Sequence, residues 1–166
     1  PRHRRLRDAL DALNQAVRLN SDFYLAWYER GNVLFAMKQP HEALASYDRV
    51  IQLKPDFYSV WRDRGVLLVT LNQAMAALGS FDRATELKPD DYVLWYMRGN
   101  LLNRDLQDYQ RAIASYDRSL QIKPDFADAW NNRGQARARQ GDWTAALADY
   151  NKALEEDDQF WAAYYN

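Results

Sequence analysis

The 166-residue chain contains no cysteine, two histidines, six glycines and five prolines. Without cysteine there is no disulfide framework and no thiol nucleophile. The histidines, His3 and His41, stand 38 residues apart with no spacing that gathers ligands around a metal. They read as solvated residues at element ends. Glycine is too scarce for long loops, and neither Gly-x-Gly-x-x-Gly nor Gly-x-Ser-x-Gly occurs. No apolar run approaches the roughly 20 residues that span a bilayer. The basic start from Arg2 to Arg7 lacks the apolar segment of a secretory signal. An excess of either charge is missing too, with 22 basic and 23 acidic residues and a net charge of −1. A nucleic-acid-binding surface wants a basic face, so neither nucleic acid nor membrane is an expected partner. No cofactor and no catalytic residue is expected, and the location is expected to be cytoplasmic.

What the chain has is a beat. Trp-x-x-Arg-Gly begins at Trp27, Trp61, Trp95 and Trp130, in steps of 34, 34 and 35 residues. Ala43, Tyr47 and Val50 follow the first occurrence. Ala77, Phe81 and Ala84 follow the second, Ala112, Tyr116 and Ser119 the third, and Ala146, Tyr150 and Ala153 the fourth. Pro55, Pro89 and Pro124 close the first three units, and Asp158 replaces proline in the fourth. A fixed period of this size marks a solenoid of one repeated supersecondary unit. Half the residues are hydrophobic or nearly so, at 48%, which suits a folded array.

This Trp, Gly, Ala, aromatic, small, Pro pattern resembles the tetratricopeptide repeat (TPR) family over essentially the whole chain. The resemblance implies an all-α fold, a right-handed α-solenoid of antiparallel helix pairs, about ten helices here with no strand. It also implies a protein–protein interaction scaffold. Two departures stand out. The family's leucine before glycine is Arg30, Arg64, Arg98 or Arg133. The tyrosine position of the first helix holds Leu34, Leu68, Leu102 and Arg137, and Arg137 is expected to weaken the fourth repeat's core.

Extending the beat backwards puts Ala9, Leu13 and Ala16 where Ala43, Tyr47 and Val50 sit, so residues 1–23 read as the second half of a truncated repeat. Full repeats then span 24–57, 58–91, 92–126 and 127–160, and 161–166 begin another, with Tyr164 at the tryptophan position. The cut phase and the start at Pro1 suggest a fragment or processed product. Leu6, Leu10, Leu13 and Val17 at one end, and Phe160, Trp161, Tyr164 and Tyr165 at the other, are expected to be bare and to associate end to end.

Within each repeat, Asp22, Asp56, Asp90 and Asp125 are placed as N-caps or first-turn acids of the first helix. The extra residue of the third repeat is assigned to the turn between its helices, among Arg104 to Tyr109. Gly31, Gly65, Gly99 and Gly134 fall mid-helix, where glycine costs about 1 kcal/mol relative to alanine. Close approach of Ala43, Ala77, Ala112 and Ala146 is the expected compensation, with the tryptophans filling the gap to the neighbouring repeat; a ligand-stacking tryptophan platform is the other reading. Asp48 is expected to meet Arg64, Asp82 to meet Arg98, and Asp117 to meet Arg133. A phosphate-binding row of arginines is the alternative. The run Glu155-Glu156-Asp157-Asp158 reads as a solvated helix end, or else as an attraction for a basic partner or a cation.

In the TPR family the first helices line a groove that takes peptides or protein segments. Carried onto this sequence by helical period, the partner-binding groove holds Tyr28, Asn32, Arg62, Tyr96, Met97, Asn100, Asn131 and Asn132, with Glu29, Asp63, Val66 and Gln135 beside them. None of these is expected to serve the repeat core. One TPR subclass clamps acidic chaperone tails through Lys-x-x-Gly-Asn, but the matching stretch here runs Tyr28-Glu29-Arg30-Gly31-Asn32, and Val93 and Met97 stand at later basic positions. That clamp is absent in this register. The leading reading is a non-catalytic scaffold for a peptide or protein segment of unknown identity. The alternative is a regulatory or localisation module of a larger multidomain protein, possibly an enzyme.

Overall fold

A computed structural model describes residues 2–156, with side chains from Arg4 onward. Among the described residues there are nine helices and no strand: α1 (Arg2–Leu19), α2 (Tyr24–Ala36), α3 (Pro40–Leu53), α4 (Tyr58–Thr70), α5 (Ala74–Leu87), α6 (Tyr92–Arg104), α7 (Tyr109–Ile122), α8 (Ala127–Arg139) and α9 (Trp143–Glu156). The helix expected to follow, with Phe160, Trp161, Tyr164 and Tyr165, lies outside the described residues. Two compact units divide the chain at Leu87 and Lys88. In the first, α2 packs on α3 and α4 on α5, with α1 against α2 and α3 against α4. In the second, α6 packs on α7 and α8 on α9, with α7 and α6 each against α8.

Three turns between paired helices have three residues, at 37–39, 71–73 and 140–142, whereas 105–108 has four. The extra residue therefore sits in the α6–α7 turn. Each turn reverses the chain through one left-handed residue: Lys38, Asn72, Gln107 and Gly141.

The repeated small and aromatic positions form the cores. In the first unit Leu34, Ala43, Tyr47, Val50, Val60 and Leu67 make a buried cluster, with Leu10, Trp27, Tyr28, Phe57 and Trp61 packed against it. In the second, Leu94, Leu102, Ala112, Tyr116 and Ala129 have no exposed surface. The first helix is less bare than the sequence suggests. Val17 is buried and Leu10 packs on the core, because α2 covers that face of α1, while Leu6 and Leu13 are half-buried.

Mid-helix glycine has a different cause from the one expected. A Cβ on Gly65 would lie 2.7 Å from Phe81, on Gly99 2.6 Å from Tyr116, and on Gly134 2.8 Å from Tyr150, and one on Gly31 would also strike the Tyr47 ring. It is the flat aromatic ring of the second helix that most needs the missing Cβ, with the facing Ala146 carbonyl adding to the crowding at Gly134. The ring buries far more apolar area than alanine, and glycine is what lets it lie against the backbone.

The tryptophans do more than fill space. The indole Nε1 of Trp61 donates to the carbonyl of Pro55 at 2.8 Å, Trp95 to Pro89 at 2.9 Å, and Trp130 to Pro124 at 2.7 Å; Trp27 donates to Ser21 at 2.9 Å. Each indole thus staples the turn that precedes its own helix. The acceptors lie just beyond the C-caps of the previous helices, in the linkers.

The four acids assigned to the starts of the first helices do not cap them. The N-cap residues are Phe23, Phe57 and Phe126, without side-chain caps, and Asp91, whose carboxylate accepts from the Val93 amide. Asp22, Asp56 and Asp125 lie one residue too early and pair with cations instead, Asp22 with Arg49, Asp56 with Lys54 and Asp125 with Lys123. Asp90 likewise precedes the cap, which falls on Asp91.

Candidate functional site

Two polar systems run along the first helices. The arginine before each glycine belongs to the first. Arg64 donates from Nε to Asp48 at 2.8 Å and from Nη1 to Ser80 at 2.8 Å. Arg30 does the same with Asn14 and Ser46, at 2.8 and 2.6 Å. In the second unit Arg98 donates to Ser115 at 2.6 Å, and Arg133 to Asp117 at 2.6 Å. The expected pairs Asp48–Arg64 and Asp117–Arg133 are therefore present. The serine of the second helix is the partner that the sequence pattern concealed. With Arg30, Arg64 and Arg133 tied down on two sides by fixed acceptors, a phosphate-binding row loses its donors.

The fourth repeat replaces that serine with Asp149, only 2% exposed. Arg133 grips it with Nε at 2.9 Å and Nη2 at 2.7 Å, and Arg137 adds Nη1 at 2.9 Å. Arg137, at the position of buried Leu34, Leu68 and Leu102, thus brings its own counter-charge. At the position expected to weaken the core, Arg137 joins a cluster of two arginines with Asp117 and Asp149.

The second system is the candidate site. In the first unit the Tyr28 hydroxyl donates to Asp63, and Arg62 Nε donates to the same carboxylate at 2.8 Å. Asn32 accepts from the Tyr47 hydroxyl at 2.8 Å. The Tyr28 ring meets Phe57 edge-on at 5.0 Å. Burial, and then the Asp63 carboxylate, push the Tyr28 phenol up to about 12. Desolvation raises buried Tyr47 further still.

The second unit repeats this arrangement without the charge. Asn100 accepts from the Tyr116 hydroxyl at 2.8 Å, and Asn132 donates to Tyr96 at 3.0 Å and to Asn100 at 2.9 Å. Asn131 donates to Asn132 at 3.2 Å, and Tyr96 meets Phe126 edge-on at 4.8 Å. Tyr28 and Tyr96, like Asn32 and Asn100, are 68 residues apart, two repeat lengths. Asp63 and Asn132 are the corresponding third members, one charged and one neutral. This double period was readable in the sequence as alternating Tyr/Asn and Arg/Val or Asn/Gln first helices.

The eight residues assigned to the groove therefore fall into one set per unit, and all eight are half-buried: Tyr28, Asn32 and Arg62 in the first, Tyr96, Met97, Asn100, Asn131 and Asn132 in the second. Their freedom from core duties does not hold throughout. Asn32 and Asn100 each accept from the hydroxyl of a buried tyrosine from the second helix, and Asn103 is a second partner of the Tyr116 hydroxyl. Among the described residues no cluster of three or more His, Cys, Asp or Glu is placed to hold a metal, and no helix is long and apolar enough to cross a membrane.

Tetratricopeptide repeat models match residues 32–98 and 100–160, and a second such model matches 2–56. The chain belongs to the tetratricopeptide repeat family. Several solved TPR structures share its fold. A MamA crystal structure aligns with a TM-score of 0.86 and 20% identity, over 94% of this chain and 90% of that one. MamA from Desulfovibrio magneticus RS-1 aligns at 0.84 and 19% identity, over 93% and 86%. YrrB, described as a TPR protein with an unusual peptide-binding site, aligns at 0.84 and 25% identity, over 93% and 79%. No curated protein sequence matches the chain. TPR proteins are in general interaction scaffolds rather than catalysts, and this chain has their repeats and helical-solenoid architecture.

Proposed function

We propose that this TPR chain is a non-catalytic scaffold that binds a peptide or protein segment along its first helices. The observation that carries the reading is the half-buried network of Tyr96, Asn100, Asn131 and Asn132, fixed from behind by Tyr116. Amides and hydroxyls held in place offer donors and acceptors to an extended backbone at low ordering cost. Met97 and the tyrosine rings supply adaptable and rigid apolar area beside them. In the first unit Tyr28, Asn32 and Arg62 play the matching part. Arg62 already faces Asp63, so binding should depend only modestly on salt. The likeness to YrrB, whose description includes a peptide-binding site, supports the same class of partner.

The test is selection from a displayed library of random peptides, followed by affinity measurement on variants. Met97→Ala combined with Asn131→Ala should weaken a selected peptide more than tenfold while leaving the circular dichroism spectrum unchanged. These two are chosen because neither supports a buried hydroxyl. Selected peptides that keep full affinity for the double variant, and that protect second helices from hydrogen exchange instead, would overturn the assignment.

A further inference from the structure

The second unit contains a polar cavity of about 180 Å³ that the groove residues do not account for. It is lined by Asn103, Arg104, Gln107, Gln135 and Arg139. These come from the last turn of α6, the α6–α7 turn and the outer half of α8. The composition is two guanidinium groups and three carboxamides, and among the described residues no carboxylate lines it. The volume equals roughly six water molecules at ~30 Å³ each, enough for a carboxylate and a few carbons.

We propose that this cavity is an anion subsite that takes a carboxylate of the segment bound along α6 and α8; the proposal rests on the peptide-binding reading above. A cation in the last turn of a helix is favoured by the carbonyls there, and that alone would explain either arginine singly. It does not explain why both occur only in this unit. Five residues after the mid-helix glycine stand Ala36 and Thr70 in the first unit, against Arg104 and Arg139 in the second. Four residues after it stand Phe35, Val69 and Ala138, against Asn103, which is only 9% exposed and also bonds the Tyr116 hydroxyl. The third contribution is the turn. Its added residue gives four positions instead of three, and Gln107 is its left-handed residue, as Lys38, Asn72 and Gly141 are in the other turns. Gln107 also joins the cavity wall. Polar substitution, paired cations and a lengthened turn thus converge at one place. Gln135 connects the cavity to the groove, lying on the same helix as Asn131 and Asn132. Planar guanidinium forks match carboxylate geometry, and carboxamide N–H groups complete its acceptor sites.

The experiment follows side-chain amide and guanidinium NMR signals while four probes are titrated: N-acetyl-triglycine, its C-terminal amide, an amidated N-acetyl peptide carrying one aspartate, and inorganic phosphate. In parallel, the protein is presented with random hexapeptide pools that are free-acid, amidated and neutral, or amidated and acidic. The free-acid probe, the aspartate probe or both should move the signals of Asn103, Gln107 and Gln135, and the amide probe should not. Which of the first two acts identifies the source as a chain terminus or an acidic side chain. The corresponding pool should be retained at least tenfold better than the neutral pool, and R104Q with R139Q should abolish the difference. Both arginines are exposed, so that variant should fold. Retention of the neutral pool at equal strength, unaffected by the arginine variant, would leave the groove reading standing and remove the subsite. Carboxylate-specific shifts in the cavity with no pool retained would support the subsite and sink the groove. Signals that move with inorganic phosphate alone would overturn the proposal.

Discussion

Gly65 and Phe81 compete for the same volume: a Cβ built on the glycine falls 2.7 Å from one ring carbon and 2.9 Å from the next. Phe81 is 2% exposed and has no room to withdraw. Gly65→Ala should gain about 1 kcal/mol of helix propensity and lose more than that to overpacking, about 1–3 kcal/mol. Net destabilisation is expected, visible as faster hydrogen exchange in α4 and α5. Gly79 is the control, since nothing lies within 4 Å of its Cβ direction. Gly79→Ala should stabilise by somewhat under ~1 kcal/mol. If both substitutions shift stability the same way, the aromatic-on-glycine account fails.

Asp149 is the most consequential polar residue of the fourth repeat. Its two oxygens hold Arg133 and Arg137 at 2.7–2.9 Å with 2% of its surface exposed. Asp149→Ala leaves two partly buried cations with one exposed carboxylate and should cost on the order of 3–5 kcal/mol. Restoring the pattern of the other repeats, with Asp149→Ser and Arg137→Leu together, should recover most of that loss. A double-mutant cycle in urea measures the coupling. Additive effects would mean that the two changes are unrelated.

These two sites show what the sequence made legible. The beat of Trp, Gly, Ala and aromatic residues was enough for the helix pairs, the buried positions and the α6–α7 insertion, because each follows from periodicity. The Arg64–Asp48 and Arg133–Asp117 pairs were also readable, since opposite charges recur at a constant offset. The glycine–ring overlap was not, because spacing does not say which face of a ring meets a backbone. Ser46, Ser80 and Ser115 carry no charge to mark them as arginine acceptors. Asp149 stands in their place, and its bond to Arg137 appears only in the fold. The capping roles of Asp22, Asp56 and Asp125 failed by a single residue, within the uncertainty of any helix boundary read from sequence. At the candidate site the residues were named, but the hydrogen bonds that bind Asn32 and Asn100 to the core depend on tyrosine hydroxyl reach, which a helical period does not supply.

Asn100 illustrates the consequence. It accepts from Tyr116, whose ring has no exposed surface, and also from Asn132. Asn100→Ala should cost about 0.5–1.5 kcal/mol, the net worth of a hydrogen bond, because Asn103 still bonds the Tyr116 hydroxyl. Tyr116→Phe alone should cost a similar amount, and the double variant less than the sum of the two, since both changes remove the same bond. Chemical denaturation of the four proteins is sufficient. If Asn100→Ala is as stable as the parent, the residue is free to serve a partner alone.

Alkaline pH should expose the tyrosine network. Tyr28 is raised to about 12 from 10, first by desolvation and then by its bond to Asp63, and Tyr47 and Tyr116 are raised further by burial. A phenol whose folded pKa exceeds its unfolded value favours folding while it is neutral. That contribution is complete below about pH 10 and is lost as pH rises toward and past 12. Stability should therefore be flat on the neutral side and fall steeply above pH 10. Phenolate absorbance should rise in two phases, with the late phase coinciding with loss of helix. Tyr28→Phe removes one of the late groups, so its stability should fall less steeply over the same interval. A single titration step at the ordinary tyrosine value, with helices intact, would show that these hydroxyls are open to water and that neither set along the first helices is fixed in advance of a partner.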